Sequence, residues 1–110
     1  MAATTAEAQR IDDLVNEIKR LKRHDQLQLA EDMLLAEVER QEASAKATGF
    51  GVAPWYYEQL AIVYAKQKRW DQEISILQRY DGQPKAPGAK PAILKARLAQ
   101  KLARFQEATA

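Results

Sequence analysis

Glycine and proline are confined to two short stretches of this 110-residue chain. All four glycines and all four prolines lie after residue 48, within segments 49–54 and 82–91. These residue types mark turns and interrupt regular structure. The rest of the chain therefore consists of three long segments that carry no such interruption, and we expect the two stretches to be loops between them.

The first segment has the apolar spacing of helices. Ile11, Leu14, Val15, Ile18 and Leu21 recur at steps of one or three residues, which places them on one helical face. A second stripe lies out of phase with the first and consists of Leu27, Ala30, Met33, Leu34 and Val38. The slip in phase predicts two helices over residues 5–47 that break at His24 and Asp25; the alternative is one helix from about 6 to 47.

Side chains near the expected helix ends fit helix capping. Thr4 and Glu7 have the spacing of a capping box, Asp25 can cap the second helix, and Glu31 belongs to the charged face of that helix. Pro54 is suited to the first turn of a third helix. Asp71 can open a fourth helix, and Gly82 is expected to end it with a left-handed cap.

The remaining stripes complete an all-α prediction, since no segment shows the alternation of a strand. We expect about five helices in antiparallel hairpins within one domain, 1–110. Its parts are an N-terminal hairpin (5–47), a second hairpin (54–82) and a basic capping helix (92–106). The inward faces of the last three helices are predicted to be Tyr57, Leu60, Ala61 and Tyr64; Ile74, Leu77 and Tyr80; and Leu94, Leu98, Leu102 and Phe105.

Composition excludes several classes of function. The sequence has no cysteine, which removes disulfides, zinc-thiolate sites and thiol nucleophiles, and its single histidine, His24, cannot form a histidine cluster. No stretch approaches the roughly 20 apolar residues of a membrane span, and the first residues lack the apolar core of a signal peptide. We expect a cytoplasmic protein that is not an enzyme, with no catalytic residues, no cofactor and no metal.

The segment 57–84 resembles a tetratricopeptide repeat (TPR). Tyr57, Leu60, Ala61 and Tyr64 match the aromatic, leucine, small and aromatic positions of the family's first helix, and Trp70 matches the aromatic near the turn. Three positions depart from the family pattern: Lys68 replaces the turn glycine, while Glu73 and Tyr80 replace small residues of the second helix. The resemblance implies a helical hairpin, with residues 11–47 as a more degenerate second copy.

The TPR resemblance also implies a function in protein–protein interaction, as an adaptor or accessory subunit that binds a peptide or helix of another protein. The groove-facing positions carried over from the family are Trp55, Glu58, Ile62, Ala65, Lys66 and Arg69. Glu58 and Ile62 replace residues that grip a C-terminal carboxylate, so a carboxylate clamp is not expected. A repeat array this short leaves apolar edges to cover, so a homodimer is also compatible with the resemblance.

Charge suggests a second surface. Residues 1–50 carry a net charge of −3 and residues 51–110 carry +5, and no acidic residue lies between 84 and 104. Arg97, Lys101 and Arg104 share one helical face, and such a face could neutralise phosphates. The sequence therefore leaves nucleic-acid binding as an alternative to protein binding. It equally allows this basic helix to dock on the acidic half of the chain or to form an ordinary solvated face.

Overall fold

The chain is all-helical over residues 5–109, the range that the computed structural model describes. Five helices occupy this range: α1 (Thr5–Arg23), α2 (Leu27–Thr48), α3 (Pro54–Lys66), α4 (Trp70–Asp81) and α5 (Lys90–Thr109). Thr4 of the predicted capping box lies outside the described residues. None of these five helices carries an apolar stretch of the length that a bilayer requires.

The contacts divide the chain into two units, Met1–Met33 and Leu34–Ala110, and the boundary falls within α2. In the first unit the buried apolar residues are Ile18, Leu21 and Ala30. Glu31 is buried as well, so its predicted place on a solvated charged face is wrong. Residues 34–110 hold the remaining core and all of the candidate site residues.

The break between α1 and α2 confirms the two-helix prediction, but Asp25 ends the first helix rather than capping the second. Its φ is 58°, and the amide of Gln26 donates to the carbonyl of Leu21 at 2.8 Å while the amide of Asp25 donates to that of Lys22 at 3.2 Å. This is the hydrogen-bond pattern of a Schellman motif, in which one residue adopts the left-handed conformation. Asp and Asn tolerate that conformation better than most residues with a β-carbon.

The turn between α3 and α4 uses the same motif. Lys68 has a φ of 57°, and the amide of Arg69 donates to the carbonyl of Tyr64 at 2.9 Å. Lys68 therefore adopts the conformation for which glycine is best suited. At the start of α3, Pro54 occupies the first turn as predicted.

Two other helix ends differ from the prediction. Gly82 ends α4 with a φ of −83°, in the right-handed region, so the expected left-handed cap is wrong. Helix α5 begins at Lys90 and continues to Thr109 instead of spanning 92–106. The sequence places Pro91 in the second loop, but it lies in the first turn of α5, where a proline loses no intrahelical hydrogen bond.

The two loops that contain glycine and proline are joined to each other. The amide of Val52 donates to the carbonyl of Pro84 at 2.8 Å, and the amide of Ala86 donates to the carbonyl of Val52 at 3.2 Å, which forms an isolated parallel bridge. Val52 is fully buried. The loops before α3 and before α5 therefore fix each other's course.

The core of residues 34–110 centres on α3 and α4. The predicted α3 stripe is buried throughout, together with Tyr56 and Val63. On α4 the buried residues are Glu73, Ile76, Leu77 and Tyr80, whereas Ile74 is only partly covered. The inward position predicted for Ile74 is thus wrong. On α5, Leu94 and Leu98 are buried, but Phe105 is exposed.

Three polar side chains link α2, α3 and α4. Arg79 donates two hydrogen bonds of 2.8 Å to the carboxylate of Glu42, and the Tyr57 hydroxyl donates a third, also of 2.8 Å. Burial alone would raise the pKa of Glu42, but the hydrogen bonds from Arg79 and Tyr57 lower it below its usual value. Burial and the bond to Glu42 raise the pKa of Tyr57 above its usual range. Glu42 is therefore a charged acceptor in the folded protein.

Candidate functional site

The face of α3 that the sequence predicted to bind a partner is partly engaged within the chain. The carboxylate of Glu58 forms an ion pair of 2.8 Å with Lys90, at the start of α5. Trp55 is half-buried and meets the ring of Tyr56 edge to face, with centroids 5.3 Å apart. The start of this face therefore packs within the protein.

The second half of that face is more open. Lys66 is exposed and Ile62 is half-buried. The guanidinium of Arg69 lies over the ring of Tyr64 at 4.8 Å and donates to Gln67 at 2.8 Å. Ile62 and Lys66 thus remain accessible from this face, while Arg69 is held by its own turn.

Arg97 and Lys101, two of the three cations predicted to bind phosphates, are directed at Glu73. Nη2 and Nε of Arg97 donate to the same carboxylate oxygen, Oε2, at 2.7 and 3.1 Å. Lys101 Nζ lies 3.7 Å from the other oxygen, Oε1, which is buried and accepts no hydrogen bond within the described residues. Arg97 and Lys101 on the basic face of α5 thus pair with a carboxylate of α4.

An open groove of about 240 Å³ lies between α4 and α5. Its lining is formed on α4 by Trp70, Glu73 and Ile74, and on α5 by Lys101, Arg104 and Phe105. Trp70 and Phe105 are 46% and 44% exposed, which is high for aromatic side chains of this size. This surface, which we call the α4–α5 groove, combines an apolar interior with a cationic edge.

Helical spacing creates the two walls of the groove. Trp70 and Ile74 are four residues apart on α4, as are Lys101 and Phe105 on α5, so each pair lies on one side of its helix. Lys101 Nζ spans the groove at one point, 5.5 Å from the centroid of the Trp70 ring. This distance permits a cation–π interaction.

Sequence reasoning missed Trp70, Ile74 and Phe105 as site residues because it assigned all three to packing. A signal was nevertheless present on α4. Glu73, Ile76, Leu77 and Tyr80 follow the spacing i, i+3, i+4, i+7 of a buried helical face. That alignment moves Ile74 off the core face and places Trp70 at its edge. This alignment places a glutamate on the buried face, where carboxylates are rare unless they are paired.

The groove is lined by apolar and basic side chains together with one carboxylate. Its only carboxylate, Glu73, is 0% exposed and already accepts from Arg97. Within residues 5–109, no group of three or more carboxylate or imidazole side chains converges as a metal site would require. What the groove offers to a ligand is apolar contact with Trp70, Ile74 and Phe105, together with the positive charge of Arg104.

Comparison of the chain with protein-family models, with curated proteins and with solved structures gave no match. The TPR resemblance therefore stays a prediction, and function must be argued from the geometry of the groove.

Proposed function

We propose that this protein is an interaction module that binds an apolar segment of a partner protein in the α4–α5 groove. The observation that carries the proposal is the pair of exposed aromatic side chains, Trp70 and Phe105, on opposite walls of one groove. Aromatic residues together with arginine dominate the binding energy of protein interfaces. Both kinds of residue line this groove.

The size of the groove supports a protein segment over a small molecule. Sites for small ligands and cofactors occupy roughly 300–1,000 Å³ and enclose most of the ligand. The α4–α5 groove is smaller, about 240 Å³, and open along one side. It suits a few side chains presented by a longer chain, as an adaptor or accessory subunit would bind its partner.

In this proposal α3 and α4 form a TPR-like hairpin, and α5 packs against it in a cytoplasmic protein without catalytic activity. The α3 face with Trp55, Glu58, Ile62, Lys66 and Arg69 is then a secondary surface. It is secondary because Glu58 already forms an ion pair with Lys90. A homodimer that covers either surface is an outcome that the experiment below distinguishes.

Nucleic-acid binding through Arg97, Lys101 and Arg104 is the less favoured proposal. A protein binds nucleic acid through cations that neutralise its phosphates and release the counterions bound to them. Arg97 and Lys101 lie instead against the Glu73 carboxylate. Only Arg104 of the three has no ion-pair partner among the described residues, and one free cation gives little affinity for a polyanion.

The test is selection of peptides of about 16 residues from a displayed random library, followed by binding measurements on variants. We expect the Trp70→Ala/Phe105→Ala variant to lose binding of the selected peptides, because both aromatic walls are removed. Trp55→Ala/Ile62→Ser serves as the matched control and should keep it. Circular dichroism establishes that both variants remain helical.

The opposite pattern would overturn the proposal. Peptides that bind the Trp70→Ala/Phe105→Ala variant as well as the unmodified protein would show that the groove is not the site. Loss of binding only in Trp55→Ala/Ile62→Ser would assign the site to α3. Light scattering at the working concentration determines whether a second copy competes for the groove, and a dimer that dissociates on Phe105→Ala would replace the partner proposal with self-association.

A further inference from the structure

The α4–α5 groove holds more positive than negative charge. Its lining contains two cations, Lys101 and Arg104, and a single carboxylate, that of Glu73. Glu73 is fully buried, and its two oxygens face Arg97 and Lys101, so no carboxylate of the lining is left to pair with Arg104. The excess positive charge therefore lies at the groove's edge, beside the exposed rings of Trp70 and Phe105.

Arg104 is the cation best placed to meet a ligand. Its side chain is exposed, it lines the groove, and it forms no ion pair with any residue of the range 5–109. Lys101, in contrast, is held between Glu73 Oε1 at 3.7 Å and the Trp70 ring at 5.5 Å. A guanidinium recognises a carboxylate with two parallel hydrogen bonds, so Arg104 favours an acidic ligand group.

The walls of the groove favour a helix as the occupant. Trp70 and Ile74 on α4, and Lys101 and Phe105 on α5, form two ridges about one helical turn long. Side chains of a third helix at positions i and i+4 have the same spacing and can insert between such ridges. Recognition of an amphipathic helix by an apolar groove follows this arrangement in general.

We propose that the segment bound in the α4–α5 groove is an amphipathic helix of a partner protein, with a carboxylate one turn from its apolar residues that pairs with Arg104. This inference rests on the proposed function. It commits to an acidic, helical partner segment. Nucleic acid is the alternative outcome of the test.

The test uses a fluorescent reporter that reads the groove directly. The chain has two tryptophans, Trp55 and Trp70, so the Trp55→Phe protein reports Trp70 alone. The probe is a 16-residue helical peptide with leucines at i and i+4 and a glutamate one turn away. Two further versions carry glutamine or lysine in place of that glutamate. Titration is followed by the emission of Trp70 at low and at high salt.

We expect the glutamate peptide to bind about threefold more tightly than the glutamine peptide, as an exposed ion pair allows, and the lysine peptide to bind weakest. The advantage of glutamate should disappear in Arg104→Gln. In Arg104→Glu the order should reverse, so that the lysine peptide binds best. Lys95→Gln is the matched control, because Lys95 is an exposed cation of α5 that does not line the groove, and it should preserve the original order.

The two proposals fail in different ways. If all three peptides shift the Trp70 emission with equal affinity and Phe105→Ala weakens them all, the acidic-helix inference is overturned while the proposed function stands. If no peptide binds, or if Phe105→Ala leaves their binding unchanged, the groove is not a binding site and both fail. A short DNA duplex that displaces the glutamate peptide at low salt would overturn the inference in favour of nucleic acid.

Discussion

Glu73 on α4 and Arg97 on α5 form an ion pair in which one partner is completely removed from solvent. The distance from Arg97 Nη2 to Glu73 Oε2 is 2.7 Å, and the glutamate side chain is 0% exposed. A buried carboxylate is costly unless it is paired and hydrogen-bonded. The position of α5 against α4 is therefore tied to this pair as well as to apolar packing, and the same pair sets the wall of the α4–α5 groove.

Removal of the arginine alone should destabilise the protein strongly. Arg97→Met keeps an unbranched side chain of similar reach but leaves the Glu73 carboxylate buried without its main partner. We expect a loss of about 3 kcal/mol in the free energy of unfolding, measured by urea denaturation followed by circular dichroism. Lys95→Met, which changes an exposed cation on the same helix, should have little effect.

The double variant Glu73→Met/Arg97→Met distinguishes the cost of leaving one buried charge unpaired from the net contribution of the ion pair to the free energy of unfolding. Replacement of both partners by apolar residues of similar volume is often neutral or stabilising. We therefore expect the double variant to recover most of the stability that Arg97→Met loses. A double variant less stable than Arg97→Met would contradict this account of the pair.

The helices could be predicted from the sequence because their limits depend on local signals. Glycine and proline positions gave the two loops, and the phase slip between the stripes gave the break at residues 24–25. Burial of Glu73 could not be predicted in this way, since its partner Arg97 lies 24 residues further along the chain. If Glu73 is expected to be exposed, the predicted inward face of α4 includes Ile74 instead of Ile76.

The candidate site was harder to predict than the fold for a related reason. Trp70 and Phe105 each have the spacing of core residues in their own helix. The sequence of one helix does not show how far the neighbouring helix extends over it. Only the packing of α5 on α4 leaves both rings exposed on facing walls. The spacing of the basic residues predicts their shared face on α5, but Glu73, the partner of Arg97 and Lys101, belongs to another helix.

The hydroxyls of Tyr57 and Tyr80 should differ in their contribution to stability. The rings lie 5.1 Å apart, but Tyr57 donates to Glu42, whereas the buried hydroxyl of Tyr80 forms no hydrogen bond within the described residues. We expect Tyr57→Phe to lower the free energy of unfolding by about 1.5–2 kcal/mol, since its acceptor is charged. Tyr80→Phe should be neutral or stabilising by up to about 1 kcal/mol. Urea denaturation of the two variants side by side provides the measurement, and equal losses would refute the assignment.

Stability should fall in acid in part because of Glu42. Its pKa is lower in the folded protein than its usual value, so the folded state binds fewer protons at this site than the unfolded state does. The stabilisation is complete above the unfolded pKa of about 4.3 and is lost as the pH falls from there through the folded pKa. We expect Glu42→Gln to be less stable than the unmodified protein at pH 7, and the gap to narrow below about pH 4.3.

A partner variant checks that this narrowing comes from the ion pair. Arg79→Met removes the same interaction from the other side and should show the same decrease in the gap as the pH falls. Thermal or urea denaturation between pH 7 and pH 3 supplies both curves. A gap that stays constant over this range would exclude Glu42 as a source of the acid sensitivity.

The turn between α3 and α4 should be improved by glycine. Lys68 has a φ of 57°, a conformation that costs a residue with a β-carbon roughly 1 kcal/mol. We expect Lys68→Gly to stabilise the protein by up to about 0.5 kcal/mol, because relief of this strain exceeds the roughly 0.5 kcal/mol that the extra entropy of glycine in the unfolded chain costs. Lys66→Gly is the control: it lies in the last turn of α3 and should destabilise. A loss of stability in Lys68→Gly would show that its side chain contributes more than the turn costs.

The close approach of the two loops depends on Gly51. A β-carbon at this position would lie 2.1 Å from the amide nitrogen of Ala86 and 2.1 Å from the carbonyl carbon of Lys85. Both are backbone atoms, which cannot move aside as a flexible side chain can. We expect Gly51→Ala to cost about 2–3 kcal/mol and to weaken the bridge between Val52 and Lys85.

Gly82→Ala is the matched control for this effect. Its β-carbon would be 3.7 Å from the nearest atom, the carbonyl oxygen of Arg79, and its φ of −83° suits alanine, so the change should stay within about 0.5 kcal/mol. Hydrogen exchange gives a local readout, because the amides of Val52 and Ala86 donate across the bridge and should exchange faster in Gly51→Ala only. If Gly51→Ala keeps both the stability and the slow exchange of these amides, then the loops do not depend on contact at Gly51, and the path into α5 is set by the Glu73–Arg97 pair and the apolar packing of Leu94 and Leu98.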